Sequence, residues 1–185
     1  MRVPILLTVT ALAIASLAPA QMLEQIKNPA NLGPDMPTPQ AVVDEMLRVA
    51  KVMPGETVYD LGCGDGRILI TAVQKYNARA VGVELSRDIF ERTTAHIKSM
   101  GLADKILIIH GDALHVDLTP ADVVTLYLLT SSNDRLKPTL ARLRPGARVV
   151  SHDYEVRGWK PVGVTRIQTM GTIHTVYLYQ MKPKS

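Results

Sequence analysis

The sequence predicts an α/β fold: a Rossmann-like, doubly wound, mostly parallel sheet that ends in a C-terminal antiparallel hairpin. Three observations carry this. Short β-rich runs alternate with helical patterns of about ten to fifteen residues, the rhythm of parallel βαβ units. At 185 residues and 46% hydrophobic, the chain can bury one core and is too short for two ordinary domains. After Asp153 the alternation gives way to two extended runs joined tightly at Gly171.

Residues 1–20 carry one positive charge, Arg2, then none until Glu24, with Ala18 and Ala20 at the spacing signal peptidase reads. This reads as a secretory signal cut after Ala20; the alternative is an uncleaved anchor, because about twenty apolar residues also span a bilayer. In both cases the positive start stays cytoplasmic and the domain crosses, so the expected location is exported (periplasmic or secreted) or membrane-anchored. Residues 21–37, with Pro29, Pro34 and Pro37 among Asn28, Asn31 and Gly33, read as an extended linker or an arm laid over the domain.

The domain is expected over residues 38–182. Thr38 is placed to cap a first helix, with Pro39 in its first turn and apolar residues at 42, 43, 46, 47, 49 and 50. Then come TVYDL, a helix from Arg67 to about Tyr76, RAVGVEL, a helix from Arg87 to about Met100, and KILIIHG. ADVVTLYLL, a helix from about Asn133 to Leu143, and ARVVSHD follow. VGVTRIQTM and residues 172–181 form the closing hairpin.

Net charge is +4, but Lys and Arg are scattered without tracts or aromatic interleaving, so no nucleic-acid partner is expected. Cys63, the sole cysteine, excludes a disulfide framework and a cysteine zinc site within one chain. The five histidines do not pair at metal spacing, and no metal is expected.

VYDLGCGDGRI places Gly62, Gly64 and Gly66 after a strand and before a helix, where backbone approaches a ligand closely. The spacing is G-x-G-x-G, with Asp60 just before it and Asp65 between its last two glycines. A pyrophosphate here would meet two carboxylates, each like-charge contact costing about 1 to 4 kcal/mol at ~4 Å, so phosphate ligands are disfavoured. A sulfonium and amine ligand has the opposite preference, and S-adenosylmethionine is the expected cofactor, its ammonium toward Asp60 or the loop carbonyls. Glu84, at the tip of the second strand, is placed to accept from both ribose hydroxyls, and Asp112, after the third, from an adenine amino group. Cys63 reads as a small packing residue in the loop, and a cap is the competing role for Asp112.

With these residues in place, the chain resembles the class I, seven-strand S-adenosylmethionine-dependent methyltransferases over roughly residues 37–182. PTPQAVVDEML, VYDLGCGDGRI, VGVEL, VVTLYLL and RVVSHDYEVRGWKP are similar to the small lysine methyltransferases that include the mitochondrial ATP synthase c-subunit and adenine nucleotide translocase enzymes and a broad-specificity archaeal enzyme. The resemblance implies methyl transfer to a protein lysine. By position it makes Asp60, Gly62, Gly64, Asp65, Glu84 and Asp112 cofactor residues and puts TLYLL where substrate meets the methyl group. Tyr127 then offers an oxygen to the amine and shares the channel lining with Leu128, strand-end packing being its competing role. Asn133 and Asp153 are further candidates. The chain departs from its relatives at Met36, where they often carry an aromatic residue. A small-molecule methyltransferase and a non-catalytic exported nucleoside-binding module are the alternatives.

Overall fold

The computed structural model describes residues 30–33 and 36–183; the expected leader and most of the arm lie outside them. In chain order the elements are α1 (Gln40–Val49), β1 (Thr57–Leu61), α2 (Arg67–Tyr76), β2 (Arg79–Glu84), α3 (Arg87–Ser99) and β3 (Ile106–His110). Then come β4 (Val123–Leu126), α4 (Thr130–Leu140), β5 (Arg148–His152), β6 (Gly163–Thr169) and β7 (Thr172–Gln180).

The strands form one sheet ordered β3-β2-β1-β4-β5-β7-β6. All neighbouring pairs are parallel except β5·β7 and β6·β7, so the doubly wound sheet with its antiparallel end is as expected. Alternation along each strand sends side chains to two faces. On one face Val58, Val123 and Val150 pack beneath α1 and α2 through Val42, Met46, Leu47 and Ala72. On the other, Tyr59, Val124 and Val149 pack on α4 through Leu136 and Leu140. Met46, Leu47, Leu136 and Leu140 are wholly buried, each removal from water being worth roughly 1.5–3 kcal/mol. No helix among the described residues is long and apolar enough to cross a membrane.

Three local expectations are corrected. Thr38 does not cap α1: Pro39 holds that position, its carbonyl accepting from the N–H groups of Val42 and Val43, while Thr38 Oγ1 lies 3.3 Å from His152 Nδ1. The fourth strand stops at Leu126, opposite Leu61, where its partner β1 also ends. Helix α4 begins at Thr130, three residues before Asn133, and ends at Leu140. Its first turn is polar and weakly helical in propensity, and tertiary packing of Leu136 and Leu140 overrides that. The closing hairpin turns through Met170 (φ 42°) and Gly171 (φ 88°), both left-handed, as a two-residue turn of twisted strands requires.

A cavity at the carboxyl ends of four strands

From β1 the chain winds outward through β2 to β3, then crosses back to β4 on the other side of β1. Loops therefore diverge at the carboxyl edge, and a crevice opens there. Its cavity measures about 540 Å³, within the range of small-molecule sites. The loop after β1 forms its floor. Gly62, Gly64 and Gly66 have φ of 80°, 53° and 78°, a region strained for any residue with a Cβ. Backbone N–H groups of Gly62 and Cys63 both donate to Val83 O, and Thr93 Oγ1 donates to Gly64 O at 2.6 Å. Beneath the loop Cys63 packs on Gly82, where an added Cβ would lie 2.6 Å from Cys63 Sγ. Burial pushes the Cys63 thiol well up, in keeping with a packing role.

Asp60 lines the cavity yet is only 4% exposed, and Thr125 Oγ1 donates to its Oδ1 at 2.8 Å. Burial, reinforced by the Glu84 and Asp65 carboxylates, outweighs that hydrogen bond and pushes its pKa up to about 7. Glu84, at the tip of β2, also lines the wall; its two oxygens accept from the N–H groups of Gly64 (3.1 Å) and Ser86 (2.8 Å).

Other expected residues take different places. Asp65 reaches the cavity edge but is paired with Arg67, whose side-chain hydrogen bonds hold its carboxyl below the usual range. Gly66 sits at the N-terminus of α2 and packs on Thr93, behind the wall. Asp112 turns back on its own loop, Oδ1 accepting from Leu114 N–H and Oδ2 lying 3.0 Å from His115 Nδ1; its neighbours Gly111 and Ala113 line the cavity and it does not. This is the aspartate side-chain turn that competes with ligand binding at such positions. Tyr127 lines the cavity beside Leu128, and its ring stacks on His152 with centroids 3.8 Å apart. Burial, with the Asp153 carboxylate second, raises the Tyr127 phenol pKa and keeps it neutral. Asn133 is wholly buried off the cavity, its Nδ2 donating to Ser151 Oγ, Tyr154 O and Glu155 O, so it braces the loop after β5. Asp153 lies behind Tyr127 with His152 and His174.

Leu32, Gly33, Met36 and Pro37, which precede α1, also line the cavity. Arg67 ties that segment to the loop, Nη1 donating to Thr38 O at 2.9 Å while the same guanidinium holds Asp65. The contact with Thr38 joins residues 29 positions apart, which no local pattern reveals.

Arranged this way, the site offers a buried carboxylate in need of a cation, a second carboxylate at the adjacent strand tip, open backbone and an aromatic wall. A family model described as the ANTKMT methyltransferase domain matches residues 60–163. The chain is 47% identical over 148 residues to a protein-lysine N-methyltransferase of Saccharolobus islandicus, covering 79% of this chain and 92% of that protein. It is 33% identical over 123 residues to the adenine nucleotide translocase lysine N-methyltransferase of Mus musculus, covering 66% of this chain and 53% of that one. Among solved structures, an RNA methyltransferase of Salinibacter ruber in complex with S-adenosyl-L-homocysteine matches with a TM-score of 0.75 and 40% identity, over 81% of this chain and 96% of that one. The glycine loop, the strand-tip carboxylates and the seven-strand sheet therefore belong to a member of the ANTKMT methyltransferase domain family.

Proposed function

We propose that the chain is an S-adenosylmethionine-dependent methyltransferase acting on the side-chain amine of a protein lysine. One observation carries the choice of acceptor: the 47% identity to a protein-lysine N-methyltransferase extends over 92% of that protein. The residues present fit the cofactor, because Asp60 is a buried carboxylate facing the cavity without a cationic partner among the contacts described, and a ligand ammonium would supply one. Asp60 and the loop at Gly62 and Gly64 would hold its amino-acid end and Glu84 its ribose. S-adenosylmethionine supplies a methyl carbon already activated by the sulfonium, so the protein's task is to orient reactants and exclude water.

A lysine must be neutral to attack, and at pH 7 deprotonation costs roughly 4 to 5 kcal/mol from its reference pKa. Tyr127 and Leu128 form a wall that strips water from the ammonium and so lowers that cost, and the neutral Tyr127 phenol presents an oxygen for the amine to donate to. Tyr127→Phe should retain cofactor binding and lose turnover; unchanged turnover would remove the phenol from the mechanism.

The second reading is methylation of RNA, favoured by the likeness to the RNA methyltransferase of Salinibacter ruber. Incubating lysate with radiolabelled cofactor and splitting the sample between protease and nuclease separates the two. Label that is released by protease and recovered as methyl-lysine supports the proposal; label released only by nuclease overturns it. We also infer export from residues 1–20; fractionation with N-terminal sequencing tests it, and a cytoplasmic form retaining Met1 overturns it.

A further inference from the structure

The loop behind Tyr127 brings together three groups that the methyl-transfer site does not use. His152 ends β5 and is wholly buried; His174 lies on β7 and is 8% exposed. Asp153 follows β5 at φ 58°. Its N–H donates to Thr175 O and its Oδ1 accepts from Thr175 N–H, each at 2.7 Å. The clamp leaves Oδ2 2.9 Å from His174 Nδ1 and 3.2 Å from His152 Nε2, and the two ring nitrogens are themselves 2.9 Å apart.

With Asp153 ionised, hydrogen bonding does not satisfy this triangle. Each imidazole nitrogen points either one N–H or one lone pair inward, never both, and an ionised carboxylate oxygen offers only lone pairs. If both rings donate to Asp153, two N–H groups face each other across 2.9 Å. If only one ring carries an inward proton, the lone pair of the other opposes that of Asp153 Oδ2. Every assignment with an ionised Asp153 leaves one edge repulsive. A cation at the centre removes the conflict, since all three lone pairs then point at it.

We propose that His152 Nε2, His174 Nδ1 and Asp153 Oδ2 bind a divalent transition-metal ion of the zinc class. Bonds of ~2.0–2.2 Å across these separations subtend angles of about 80–105°, which caps one face of the ion and leaves further positions open. Two imidazoles and one carboxylate suit zinc and its neighbours, whereas calcium and magnesium call for all-oxygen sets. Outer partners are in place as metal ligands require: Thr38 Oγ1 faces the remaining nitrogen of His152, and Thr175 N–H holds the free oxygen of Asp153. The sequence hid the site because His152 and His174 lie 22 residues apart on different strands and meet only when β5 pairs with β7. Bound there, the ion ties β7 to the end of β5 and fixes the ring on which Tyr127 stacks.

The test uses the untagged full chain, stripped with chelator and titrated with Zn²⁺ alone against a chromophoric chelator. One equivalent should bind, and Zn²⁺ should raise the melting temperature. Asp153→Asn keeps the left-handed backbone and the acceptor for Thr175, and His174→Asn keeps a polar side chain of similar reach. Each should weaken Zn²⁺ by at least about tenfold and abolish the thermal shift. Far-UV circular dichroism and S-adenosylmethionine binding verify that both variants remain folded. Wild type that takes up no Zn²⁺, or folded variants that take it up as wild type does, would overturn the site.

Discussion

Replacing Asp60 with Asn should make the free protein more stable and the cofactor complex weaker. Burial raises the Asp60 pKa from 3.8 in the unfolded chain to about 7, so between those values the folded state holds a proton the unfolded state has lost. The folded state is favoured by this group at low pH, and that advantage is lost as pH rises toward about 7; above it the buried charge costs about 4 kcal/mol, from about 3 units at 1.36 kcal/mol each. Asn accepts the same Thr125 hydroxyl and cannot ionise. In urea denaturation without cofactor, the variant's advantage should therefore widen by about 3 kcal/mol between about pH 5 and about pH 8.5. Calorimetry should show the reverse with S-adenosylmethionine: a cation at ~4 Å gains roughly 4 kcal/mol at an effective dielectric of 20, so loss of the charge should weaken binding on the order of 10²- to 10³-fold. Wild-type binding at pH 7 should release protons, read from the dependence of the heat on buffer. A stability gap that does not change with pH, or unaltered affinity in Asp60→Asn, would refute the assignment of Asp60 as the cation's partner.

Gly82→Ala places a Cβ 2.6 Å from Cys63 Sγ and 2.7 Å from Leu69 Cδ1, so urea denaturation should show a loss of about 1–3 kcal/mol, with weaker cofactor binding because Cys63 belongs to the loop. Asn133→Ala removes the donor shared by Ser151, Tyr154 and Glu155; stability should fall by about 1–3 kcal/mol while cofactor affinity measured by calorimetry holds. A folded Asn133→Ala protein with intact stability and no turnover would instead give Asn133 a catalytic role. Met170, 99% exposed at φ 42° in the hairpin turn, loses nothing on replacement, and Met170→Asn should raise stability by about 0.5–1 kcal/mol in thermal or urea melts.

Local pattern alone determined the α/β alternation, the closing hairpin and the acidic glycine loop. Strand and helix periodicity, and the need for glycine where φ is positive, are properties of neighbouring residues, so Asp60, Gly62, Gly64 and Glu84 were legible before any contact was known. Tertiary structure decided the rest, because it depends on what faces each side chain. Asp112 spends its carboxylate on its own turn, and Asn133 is a buried brace off the cavity. The fourth strand ends level with β1, and Tyr127 and Leu128 beyond it line the cavity. Thr38, Arg67, Thr93, His152 and His174 act across segments that only the folded sheet brings within hydrogen-bond reach.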